Sequence, residues 1–226
     1  MTVSDDARLL LNDADRAWWL DMEQRIIDSL VDLAPLGFVL ASVPHERGWT
    51  DDPTMRLRPG VAAALVQARD ALPAGHNFKI LDAHRPWQMQ QRYAQRSLER
   101  ICAAHPDWSQ DQVQAHLWRM APPARVVPRL NSHRYGGAVD VAVLDSHGNE
   151  LDMGVPAGYV AGPEADLLHY ELNEPTSAAE RTWRENRRTL IRAMHAAAFH
   201  PYLAEWWHWS YLRDVEAPAT PASDAS

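Results

Sequence analysis

The stretch Ser132-His133-Arg134-Tyr135-Gly136-Gly137-Ala138-Val139-Asp140-Val141-Ala142-Val143-Leu144 decides the reading of this chain. Ala138 to Leu144 is a nearly continuous β-forming run, and only Asp140 interrupts it. A carboxylate in such a strand is costly to bury unless it is paired or bound to a metal. His133 stands seven residues before it. On a straight strand, residues seven apart face opposite sides. The two converge only if the chain turns between them, and Gly136-Gly137 supplies that freedom. The spacing itself carries little, because chance supplies about one such His/Asp pair in this composition. His45 and Asp52 form a second pair at the same spacing inside a polar loop. An ion pair of Asp140 with Arg125 or Arg129 is the structural alternative.

Downstream, Glu205-Trp206-Trp207-His208 again sets two ionisable residues in an apolar, aromatic run. It is the sole Glu-x-x-His in the chain, where chance supplies about half of one. Two histidines, one carboxylate and an open fourth position suit a catalytic zinc, and Glu205 is then free to act on water. Upstream, Leu81-Asp82-Ala83-His84-Arg85-Pro86 puts a cation just before an expected helix start, where it opposes the helix dipole. An arginine beside a metal can bind a developing oxyanion.

Around these blocks the patterning is α+β. Helices are expected over 13–33, 61–72, 178–199 and, as a pair broken at His105-Pro106, from Pro86 to Met120, with Ser109 as an N-cap. Strands are expected over 38–43, 77–83, 138–144 and 205–211, with 150–153 returning as a hairpin. Residues 44–59 and 155–164 read as loops. The expected fold is one domain, a small antiparallel central sheet carrying the metal site and flanked by helices. Residues 217–226 read as a flexible tail.

Composition narrows the function classes. The 226 residues are 46% hydrophobic and 23% charged, which is ordinary globular usage and excludes a disordered chain. A net charge of −8 without a basic stripe argues against nucleic acid and anionic membranes as partners. A single cysteine, Cys102, excludes an internal disulfide and a four-cysteine zinc site; it reads as a buried helix residue. The N-terminal residues do not look like a secretory signal, so a cytoplasmic protein is expected. Oligomeric state is left open.

The set Asp82-x-x-Arg85-Pro86, Ser132-His133-x-x-Gly136-x-Ala138-x-Asp140, Asp152-Met153-Gly154 and Glu205-Trp206-Trp207-His208 resembles the D-alanyl-D-alanine dipeptidases, the VanX-type zinc D,D-peptidases. The resemblance runs in chain order from Leu81 to Trp209 and makes residues 1–216 the dipeptidase domain. It implies one zinc per chain held by His133, Asp140 and His208. It implies Glu205 as catalytic base, Arg85 as the transition-state clamp and Asp82 as the residue orienting Arg85. Ser132 and Trp207 are candidate substrate contacts. The implied reaction is hydrolysis of D-alanyl-D-alanine, with water activated by zinc and Glu205 and the oxyanion stabilised by zinc and Arg85. The segment after Met153-Gly154 departs from the family: Val155-Pro156-Ala157-Gly158-Tyr159 stands where a Phe-Asp pair is usual. The alternatives are a zinc D,D-carboxypeptidase or endopeptidase acting on peptidoglycan stem peptides, and a zinc-holding interaction domain without turnover. The presence of Glu205 and Arg85 argues against the last.

Overall fold

A computed structural model of the chain describes residues 13–120, 132–158 and 162–213. Helix α1 (Asp13–Ser29) leads into a two-residue strand β1 (Val31–Asp32). Strand β2 (Val39–Leu40), a short helix α2 (Val43–Glu46) and strand β3 (Arg56–Leu57) follow. Helix α3 (Pro59–Asp70) starts on its proline, whose fixed φ and missing N–H suit a first helical turn. Strand β4 (Asn77–Asp82) then runs into helices α4 (Trp87–Ala104) and α5 (Gln110–Met120). These part at His105-Pro106 as expected. There His105 stacks on Trp108 at 3.7 Å. Ser109 Oγ accepts from the Gln112 amide, and Gln112 Oε1 accepts from the Ser109 amide. That reciprocal cap satisfies two donors at the start of α5.

Strand β5 (Ala138–Leu144) occupies the expected span. A one-turn helix α6 (His169–Leu172) precedes α7 (Ala178–Ala196), which opens on a Ser177/Glu180 capping box. Strands β6 (Phe199–Tyr202) and β7 (Glu205–Tyr211) close the described chain.

Two sheets form among the described residues. β1 pairs with β3, and a five-stranded sheet has the order β2-β4-β5-β7-β6. β4, β5, β7 and β6 are antiparallel neighbours, but β2 joins β4 in parallel, so the sheet is mixed rather than wholly antiparallel. The central strand β5 is completely shielded at Val139, Val141 and Val143. Those valines share one core with Leu65 and Ala68 of α3, Leu190 and Met194 of α7, and Phe78, Ile80, Trp206 and Trp209 of the neighbouring strands. Burying each such side chain contributes about 1.5–3 kcal/mol relative to exposure.

Several boundaries differ from the sequence expectation. The 44–59 segment carries α2 and β3 in addition to loop. The 150–153 return strand is reduced to one bridge between Leu144 and Glu150. The turn before it forms as expected, with Asp145 Oδ1 accepting from the His147 and Asn149 amides. The last helix stops at Ala196 rather than Phe199, because Ala198 turns the chain at φ 62 with neither Gly nor Pro to signal it. Cys102 is exposed, not buried. Arg125, Arg129 and the expected tail at 217–226 lie outside the described residues.

Candidate metal centre and catalytic site

The sheet register assembles the site. Asp82 of β4 pairs with Asp140 of β5, and Asp140 pairs with His208 of β7, so the three residues form one rung across three strands. A register shift between Ile80 and Asp82 sets β4 to this rung. A second irregularity lies on the far side of β7. Pro201 pairs with Trp209 but Tyr202 pairs with Glu205, so Trp206, Trp207 and His208 bulge away from β6. Bulges of this kind re-aim side chains and concentrate beside functional sites.

His133 reaches the rung by the turn its glycines allow. Residues His133–Tyr135 form a short 3₁₀ turn, and Gly136 follows with φ 60 in the left-handed region. A Cβ there would lie 2.6 Å from Leu30 Cδ2 and 3.1 Å from the Arg58 amide nitrogen, so a side chain would be crowded as well as strained. The Gly136 amide donates to the His133 carbonyl, and the Gly137 amide donates to the Ser132 carbonyl.

The result is a triangle of donor atoms. His133 Nε2 lies 3.2 Å from Asp140 Oδ1 and 3.1 Å from His208 Nδ1, and His208 Nδ1 lies 3.0 Å from Asp140 Oδ1. His133 Nδ1 donates to the buried Ala83 carbonyl at 2.7 Å, which turns the Nε2 lone pair toward the other two atoms. Three electron-rich atoms thus converge, and a cation among them satisfies all three at once. Donors bound to a tetrahedral zinc at about 2.0–2.2 Å stand roughly 3.3–3.5 Å apart, close to these edges. The residues therefore fit a small divalent ion. Burial opposes the charge of Asp140, yet His133 and His208 hold its carboxyl well below the usual carboxylate range.

Asp82 and Arg85 form the second part. Arg85 Nε and Nη2 both donate to Asp82 Oδ2, at 2.9 and 2.6 Å, and Nη1 donates to Gln90 Oε1 at 2.9 Å. The Arg85 amide also donates to the His133 carbonyl, tying the arginine to the metal turn. Nη2 stands 3.8 Å from Asp140 Oδ2. Burial works against this guanidinium, but Asp82 and Asp140 outweigh it, and its pKa is held above the ordinary arginine value.

Glu205 lies three residues before His208 on β7 and makes no hydrogen bond among the described residues. Burial pushes its carboxyl up to about 7, with His208 and Arg85 pulling down and Asp140 pushing up. That places it in the range suited to moving a proton near neutral pH. Ser132 precedes the 3₁₀ turn with its side chain uninvolved in capping. Trp207 is buried and meets Trp206 edge-on at 5.6 Å. Of the second His/Asp pair, His45 stands in α2, while Asp52 is a loop device that accepts from the Thr54 amide and pairs with Arg56.

Three participants escaped the sequence reading. The Ala83 carbonyl has no side-chain signature. Gln90 and Tyr93 stand three apart on α4, one face of a helix whose start was already placed at Pro86. That face was legible in principle from the position of Arg85.

The rung, the converging donors and the desolvated carboxylate are the groups that metal-assisted hydrolysis requires, set on an α+β sheet. The family model described as D-ala-D-ala dipeptidase matches residues 58–216, which run from the start of α3 past β7. A D-alanyl-D-alanine dipeptidase of Synechocystis sp. is 30% identical over 173 residues, 68% of this chain and 68% of that protein. One of Escherichia coli is 35% identical over 110 residues, 47% of this chain and 53% of that protein. The chain belongs to the D-ala-D-ala dipeptidase family of peptidases.

Proposed function

We propose that this protein is a zinc-dependent dipeptidase that hydrolyses D-alanyl-D-alanine. The observation that carries the reading is the 3.0–3.2 Å triangle of His133 Nε2, Asp140 Oδ1 and His208 Nδ1, with Glu205 and Arg85 beside it. His133, Asp140 and His208 would hold the ion, whose contribution is to acidify water and polarise a carbonyl. Glu205, desolvated and without a hydrogen-bond partner, takes a proton from the attacking water and returns it to the leaving amine. Arg85, fixed by Asp82 and Gln90, offers its charge to the oxygen that becomes negative as the carbonyl is attacked. Ser132 and Trp207 contact the substrate, and the Val155–Gly158 segment sets which side chains the pocket accepts.

The test is incubation of purified protein with D-Ala-D-Ala and with a pentapeptide ending in D-Ala-D-Ala, alongside metal analysis of the same sample. The proposal expects stoichiometric zinc, cleavage of the dipeptide and none of the pentapeptide. Glu205→Ala keeps the metal and loses turnover. Pentapeptide cleavage would move the protein to the carboxypeptidase reading. Metal without any turnover would support the interaction domain.

A further inference from the structure

Tyr93 is a half-buried side chain that the mechanism above leaves idle. It stands on α4 two turns after the helix start, and its ring lies beneath the Arg85 guanidinium, 4.6 Å from centroid to Cζ. Trp49 meets the ring edge-on at 5.5 Å, and Arg92 Nη1 donates to the Trp49 carbonyl at 2.7 Å, holding Trp49 against α4. Glu205, Arg85, Asp140 and Arg100 are the charges near enough to bear on the phenol. It makes no hydrogen bond among the described residues. The hydroxyl is not among the fully enclosed polar atoms, so it is open to solvent or to a ligand. This open donor belongs to a side chain packed against an arginine whose task is to meet a developing negative charge.

We propose that Tyr93 is a further catalytic residue, whose hydroxyl donates a hydrogen bond to the tetrahedral oxyanion alongside Arg85. This rests on the dipeptidase reading. Burial pushes the phenol up to about 12, so it keeps its proton throughout the working range. It is a donor only and takes no part in proton transfer. Its ring has a separate task, as the floor on which the Arg85 guanidinium rests.

Tyr93→Phe removes the donor and keeps the floor. The variant is expected to lose about 10- to 100-fold in kcat with KM within about threefold, because the bond forms only in the transition state. Binding of a phosphinate D,D-dipeptide analogue, a tetrahedral oxyanion mimic, is expected to weaken by a similar factor, while binding of the product D-alanine stays unchanged. Calorimetric titration reads this per competent site, so incomplete folding of the variant does not hide the result. Full activity, or a raised KM with normal kcat, would overturn the proposal. A wild-type protein that fails on D-Ala-D-Ala would sink the dipeptidase reading instead, so the two failures are distinct.

Discussion

Arg85 is fastened through all three of its guanidinium nitrogens, two to Asp82 and one to Gln90, before any substrate arrives. A clamp prepared in this way pays little ordering entropy at the moment of reaction. Arg85→Ala is therefore expected to cut kcat by about 10²–10³-fold with a smaller change in KM, measured by steady-state D-alanine release. A change confined to KM would reassign Arg85 to ground-state binding. Glu205 gives a prediction on stability. Its folded pKa, about 7, lies above the ordinary glutamate value of 4.5, so the fold favours the protonated carboxyl. That stabilisation is complete below pH 4.5 and is lost as pH rises through 7. Ionised Glu205 then costs the metal-free fold about 3 kcal/mol. Metal-free Glu205→Gln should be more stable than metal-free wild type near pH 8, by up to that amount, with the gap closing toward pH 5. Urea denaturation in chelator at both pH values reads it; a gap independent of pH would contradict the desolvated carboxylate. At this scale the sequence exposed what broke a pattern. Asp140 and His208 stood out as ionisable residues in apolar strands. Gln90 and Tyr93 broke nothing on a polar helix and stayed hidden, although their face could be computed from Pro86.

At the scale of elements, the turn before β5 carries the most risk. Gly136 holds the left-handed conformation, and a Cβ there would crowd the Leu30 side chain and the Arg58 amide. Gly136→Ala must swing Leu30 aside and strain or shift the His133 turn. A loss of about 2–4 kcal/mol is expected, with metal content falling in parallel. Denaturation midpoints and metal analysis check both; an unchanged metal content would show that the turn tolerates the shift. Strands β4, β5 and β7 were legible because β-forming runs met turn residues at both ends. Strand β6 stays unassigned in the sequence reading, save Phe199, which the expected helix absorbs, since the positive φ of Ala198 leaves no mark in composition. The parallel pairing of β2 was equally invisible, because partner choice is settled by distant segments.

For the whole molecule, the rung Asp82–Asp140–His208 joins three strands, and His133 adds the turn before β5. An ion bound there cross-links elements separated by 75 residues in sequence. Adding zinc to chelator-stripped protein should therefore raise the melting temperature, by about 2.7 kcal/mol of stability at a hundredfold excess over Kd. His133→Ala should lose that response. A melting curve indifferent to zinc would contradict the site. The register behind this rung was beyond sequence reading, because it depends on a shift at Leu81 and a bulge at Trp206–His208 that only the assembled sheet determines.

Arg187 is buried to 2% exposure, lies 4.6 Å from the Tyr170 ring centroid, and donates to the carbonyls of Met153, Glu164 and Asp166. One guanidinium thereby ties Met153 to Glu164 and Asp166. The tie reads backbone rather than side chains, because carbonyls are the same whatever residues carry them. Losing that guanidinium would strand three acceptors at once, so a single truncation here loosens both strands of chain together.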